Sequence, residues 1–158
     1  MKPSSVRLIQ LLSITDKEAM HLQAVSQRLS NVFPASEKKL DEQLNEPQLI
    51  DVLESFTAKF SRMQDTIADK LLPVFLTAAG ETTGTVIENL NRAEKLSLIS
   101  NTQDWLIARG LRNKLVHECI DNIHELSDAV KLAQKFVIEL IKTQYAIKTY
   151  ASERLQII

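Results

Sequence analysis

The chain reads as an all-α protein, an antiparallel bundle of four to five helices, and three observations predict this. Glycine and proline are scarce, three and four in 158 residues, while Leu, Ile, Ala, Lys and Glu are common, a balance that favours helices over a turn-rich β fold. Apolar residues recur at three and four positions over long stretches, as one buried helix face requires. Residues that cap helix starts stand just ahead of most of those stretches.

Length and composition bound the rest. A chain of 158 residues is most simply a single domain, 1–158, long enough to bury a core. The net charge of −1 supplies no global basic field to draw in nucleic acid, so RNA contact must come from a local patch. Cys119 is the only cysteine, which excludes an intrachain disulfide and a multi-cysteine zinc site. His21, His117 and His124 lie at unrelated spacings, so no metal site and no cofactor are expected. The apolar run from Val6 to Ile14 is too short to span a membrane, is interrupted by Arg7 and Gln10, and lacks a signal-peptide cleavage pattern. A cytoplasmic protein without membrane contact is the natural reading.

Taken in order, Met1 to Ile14 form a mildly apolar leader of uncertain structure, a short strand or helical turn packed on the body. Thr15-Asp16-Lys17-Glu18 fits a capping box and predicts a first helix from about Asp16 to about Phe33, closed by Pro34. Residues Ala35 to Asn45 are charged and polar, a loop or a short helical turn. Pro47 suits the first turn of a long second helix. Leu49, Val52, Leu53, Phe56, Phe60, Met63, Ile67, Leu71 and Val74 form its stripe, with a kink or an early end at Pro73. Gly80 to Gly84 is a break. Thr85 with Glu88 is a second capping box, opening a helix to about Leu98. Ser100 to Gln103 is a third, opening the helix that carries Trp105. Asn122 with Glu125 starts the last helix. Its Leu126, Val130, Ala133, Val137, Leu140 and Ile147 stand in near-heptad spacing.

The chemistry concentrates in Arg109 to Glu118. On a helix Arg109, Asn113 and His117 form one row at four-residue spacing. Arg112 and His117 are five apart, roughly 140° around the axis and about 7.5 Å along it. They do not share a face, so they meet only if the arginine swings round or across a two-fold interface. Arginine offers a fixed fork of donors to phosphate oxygens, and histidine moves protons near neutral pH. Asn113 would fix the imidazole or hold an attacking oxygen. With an RNA 2′-hydroxyl as internal nucleophile, such a set can cleave without metal. A solvated or structural Arg/His pair is the plain alternative. His21, His124, Trp105 and the Phe/Met stripe read as helix-face or core residues, and Cys119 as a small apolar residue.

At Arg112-Asn113-Lys114-Leu115-Val116-His117 the chain resembles the HEPN superfamily, whose mark is Arg, four to six residues, then His. Arg-Asn-x-x-x-His-Glu looks like the HepT-type toxins of HEPN/MNT toxin–antitoxin pairs. Phe60 to Asp65 with Asp69-Lys70-Leu71 looks like the long helix of that group. The resemblance spans about Val52 to about Leu140 and is sharpest at the Arg/His motif. It implies a helical bundle forming a two-fold homodimer, with the two motifs facing across a cleft. It implies a metal-independent ribonuclease acting on RNA, with Arg112 and His117 catalytic and Asn113 supporting. It also implies a small nucleotidyltransferase antitoxin as partner. HepT-type toxins often carry tyrosine two residues after the histidine as an AMP acceptor. Cys119 stands there instead, which points to control by occlusion.

The alternative is a non-catalytic module of the same kind that binds nucleotide, RNA or a nucleotidyltransferase partner. A third reading is a dimeric scaffold whose last helix zips to a partner helix. Arg109 is a candidate cleft-lining residue. Arg62 and Asp65 either line the cleft or bind each other, with ordinary surface pairing as the plain reading.

Overall fold

The computed structural model describes residues 2–115 and 122–157, and among them every regular element is helical. The elements are α1 (Pro3–Val32), α2 (Glu37–Gln43), α3 (Pro47–Asp65), a π-helical stretch (Thr66–Leu71), α4 (Leu72–Ala78), α5 (Val86–Lys95), α6 (Thr102–Asn113) and α7 (Ile123–Glu153). The π stretch joins α3 to α4 without a break, so the three form one rod.

The first helix is far longer than the sequence suggests. Pro3 stands in its first turn, and Leu8, Leu11, Leu12, Thr15, Ala19, Leu22, Val25 and Leu29 form one buried stripe. Residues expected to be a leader are therefore helix. The cap signal at Thr15 fails because Thr15 is fully buried in mid-helix, donating its hydroxyl to the carbonyls of Leu11 at 2.9 Å and Leu12 at 3.1 Å. An apolar stripe that runs straight through a cap motif overrides it, since packing supplies most helical stability. Glu18 instead accepts from the Thr66 hydroxyl at 3.0 Å.

The other helix starts follow local chemistry closely. Ser36 caps α2, in the segment expected to be loop or short turn. The Thr85/Glu88 capping box of α5 is fully formed. Asn101, not Ser100, caps α6, its Oδ1 accepting from Gln103 N at 2.7 Å. Asn122 caps α7 through Glu125 N at 3.1 Å. The rod does not end at Pro73. A proline ring clashes with the carbonyl four residues back, and here the turn behind it takes the wider π register. The rod closes at Gly80, with φ +79° and Glu81 N bonded to Leu76 O at 2.8 Å, a left-handed stop that glycine enters without strain.

Contacts between elements set the directions. Gln134 on α7 donates to Ser30 on α1 at 3.0 Å, and further along α7 Gln144 and Lys148 donate to Asp16 at 2.8 and 2.9 Å, so the two run antiparallel. The turn through α2 reverses the chain and lays the rod back along α1. Phe60 packs on Phe136 and Phe75 on Tyr150, so the rod and α7 run parallel. Arg112 meets Asp65, and one turn earlier on α6 Arg109 meets Asp69, so α6 runs against the rod. The result is an up-down-up-down bundle of α1, the rod, α6 and α7, with α2 and α5 at the corners.

The core is aromatic at its centre. Trp105 and Phe60 each meet Phe136 edge-on, with centroids at 5.2 and 6.4 Å. The near-heptad residues of α7 are all buried within the chain. That stripe is therefore not free to zip to a partner helix, and the scaffold reading loses its motive. No helix among the described residues is long and apolar enough to cross a membrane.

Candidate active site

The candidate site is built where the last turns of α6 cross the rod. Leu111, Ala108 and Trp105 turn inward and are buried, which leaves Arg109 and Arg112 at the edge of the contact. The Arg112 Nη1 donates to Asp65 Oδ1 at 2.6 Å, with both side chains about two-fifths exposed (42% and 36%). Arg109 donates through both terminal nitrogens to Asp69 Oδ1 at 3.4 Å. Beside these pairs the buried Gln64 donates to the Ala108 carbonyl at 3.1 Å and ties the two elements together. Exposure keeps each ion pair at about 0–1 kcal/mol, so their contribution is orientation more than stability.

The residues named from the sequence separate here. Arg109, Arg112 and Asp65 come together. Asn113, next to Arg112, is exposed. Arg62 is also exposed, and its charge acts on Glu18 of α1. Asp65 is paired with Arg112, so the alternative of a mutual Arg62–Asp65 pair is not the arrangement found. Half-burial pushes the Glu18 carboxyl up from its ordinary range, opposed by the Thr66 hydroxyl and the charges of Arg62 and Lys70. His117 and Cys119 lie outside the described residues, and so does the His117 end of the motif's row.

Asp69 is the site residue that sequence reasoning missed. In the sequence it stands only within the stretch that resembles the long helix of the HepT-type group, because a contact across 40 positions leaves no local trace. The visible signal was two carboxylates four apart on one helix, with two arginines three apart on another.

Beside Arg112 opens a cleft of about 640 Å³ between α3, α6 and the start of α7. Its walls are mainly apolar, from Ile50, Leu53, Leu115 and Leu126, with Ser61 and Arg112 at one end. The Ser61 hydroxyl oxygen is buried and has no hydrogen-bond partner among the described residues.

A second charged cluster stands at the same end of the bundle. His124, in the first turn of α7, meets Glu37 of α2 through Nδ1 at 2.5 Å and Asp128 through Nε2 at 3.3 Å. The Glu37 hydrogen bond, then the Asp128 charge, pushes this imidazole above its ordinary value. His21 is exposed on α1. No group of three metal-ligating side chains converges among the described residues. No protein-family model, curated protein or solved structure matches this chain.

Proposed function

We propose that the chain is a metal-independent ribonuclease of the HEPN type, in which two copies join their Arg112 and His117 around one RNA phosphate. The observation that carries the reading is Arg112: partly exposed, aimed by Asp65 and set at the rim of an open cleft. A guanidinium held by one carboxylate through one N–H keeps further donors for a phosphate.

The chemistry is transesterification. His117 of one copy takes the proton of the 2′-hydroxyl, whose oxygen attacks the adjacent phosphorus. Arg112 neutralises the charge that gathers on the phosphoryl oxygens. The bond to the 5′-oxygen breaks, and the second copy's His117 returns a proton to it. The products are a 2′,3′-cyclic phosphate and a 5′-hydroxyl. Asn113 supports the imidazole. A small nucleotidyltransferase, acting in the same cytoplasm, restrains the enzyme by covering the cleft.

The test is cleavage of structured RNA by purified protein in the presence of a metal chelator. Arg112→Ala and His117→Ala are each expected to lower kcat/KM by about 10²–10³, the scale for removing one group that stabilises developing charge. Turnover by His117→Ala equal to wild type sinks the assignment.

One observation favours a second reading, a binding module without turnover. Asp65 and Asp69 match the charges of Arg112 and Arg109, which suits a surface that releases its arginines to a partner. A stable complex with nucleotide or a nucleotidyltransferase, with no RNA turnover, identifies that case.

A further inference from the structure

We infer that the cleft beside Arg112 is a subsite for one nucleotide, its base seated along α3 and its phosphate on the guanidinium. The inference rests on Arg112 as the phosphate-holding group of the proposed site, and adds what lies next to that phosphate.

Size comes first. A volume of about 640 Å³ sits inside the range of roughly 300–1,000 Å³ typical of small-molecule sites. The wall chemistry then narrows the occupant. Ile50, Leu53, Leu115 and Leu126 present aliphatic surface, which favours a flat, weakly polar body over a sugar or a peptide backbone. Arg112 is the cationic lining group among the described residues, and it demands an anion at that end. It bonds Asp65 through Nη1, and a guanidinium carries five N–H donors, so the fork retains capacity for phosphate oxygens.

Two polar groups give the cleft a direction. Ser61 lines it, and its hydroxyl oxygen is buried without a partner among the described residues. A buried hydroxyl left unpaired is penalised until something supplies the bond. Glu54 lines the cleft two turns or about 10.5 Å back along α3, with Ile50 and Asn45 beyond it. An ionised carboxylate only accepts hydrogen bonds, so it repels a phosphate and attracts a base edge that presents an N–H. Charge therefore runs from Arg112 to Glu54 along the length of a single nucleotide. Phosphate at the Arg112 and Ser61 end and base toward Glu54 satisfies every group named. Single-stranded RNA offers this unit once its bases are unstacked, and reading a splayed base in a pocket is how proteins gain RNA sequence preference.

The two sources of the unit are a free mononucleotide and a residue within an RNA strand. Calorimetric titration separates them, using 5′-mononucleotides, the matching nucleosides and a 2′-fluoro pentanucleotide that cannot be cleaved. Ala58 lines the cleft from an exposed position on α3, so Ala58→Trp fills the space from outside the core. Expected results are saturable nucleotide binding by wild type and at least tenfold weaker binding by Ala58→Trp. Arg112→Ala should weaken nucleotide but leave nucleoside binding unchanged. Equal affinity for monomer and pentamer assigns the site to free nucleotide, and a much tighter pentamer assigns it to RNA. In wild type, methyl NMR signals of Ile50, Leu53 and Leu126 should shift on adding nucleotide, a readout that needs no variant. Absence of binding by every probe overturns the inference, as does binding indifferent to a folded Ala58→Trp or one that leaves those methyls unmoved. Binding intact with no cleavage of unmodified RNA refutes only the ribonuclease reading.

Discussion

At Ser97 the backbone enters the left-handed region, with φ +61°. The next amide, Leu98 N, bonds back to Ala93 O at 2.9 Å, so the strained residue is what closes α5. A Cβ in this region crowds the following carbonyl at roughly 1–2 kcal/mol, and glycine avoids that penalty while loosening the unfolded chain. Ser97→Gly should therefore stabilise the protein by about 0.5–1 kcal/mol, raising Tm by about 2–4 °C for each kcal/mol in a chain of this size. Differential scanning calorimetry checks it, and an unchanged or lower Tm contradicts the argument. The stop is illegible in the sequence because serine carries no sign of a positive φ. Thr85 with Glu88 was legible, since both partners sit within four residues and nothing buries them. Ser100 and Asn101 were both acceptable caps, and the choice fell to the amide, whose Oδ1 reaches two backbone N–H groups. Thr15 with Glu18 carried the same pattern and meant something else, because burial decides before capping does.

Between elements, the site was half legible. Arg109 and Arg112 stood out because one short stretch carries both. Their carboxylate partners lie on the rod, and only the antiparallel crossing of α6 over it pairs Arg112 with Asp65 and Arg109 with Asp69. The Glu37 side of the His124 clasp was invisible for the same reason, since α2 and α7 are joined by no local pattern, whereas Asp128 stands four residues on within the same helix. Both its ring nitrogens face carboxylates that only accept, so the arrangement is complete with a doubly protonated ring. The groups around it, Glu37, Asp128 and Glu125, are all acidic and raise its pKa above the ordinary 6.5. The sign follows. Below the unfolded value the ring is charged in both states and the clasp contributes fully; as pH rises through the raised folded value the contribution is lost. NMR titration should give His124 an apparent pKa above the ordinary 6.5 of a free imidazole. Melting temperature should fall more between pH 6 and about 8 in wild type than in His124→Gln, in the range where histidine titrates. Parallel curves for the two proteins would remove the clasp from the account.

For the whole molecule, the fold was legible because helical periodicity is a long signal and a bundle is the common way to bury several such stripes. The true length of α1 was missed: a polar cap signal interrupts an apolar pattern that, by itself, would have carried the helix back to Pro3. The assembly converges on Phe136, an α7 residue that meets Trp105 of α6 and Phe60 of α3 and so joins three of the four long elements. Its side chain is 7% exposed, whereas Ile138 on the same helix is 58% exposed. Truncating a buried phenylalanine costs about 3–5 kcal/mol, because the transfer loss is compounded by a cavity the neighbours cannot fill. Domains hold only about 5–15 kcal/mol in total, so Phe136→Ala should leave the bundle near the edge of folding. Its urea midpoint should drop by more than about 1 M with little change in slope. Ile138→Ala, two residues away on the outer face, should stay within about 0.5 kcal/mol of wild type. Equal losses for the two variants would mean that the outer face of α7 is itself covered, and that the stable unit is larger than one chain.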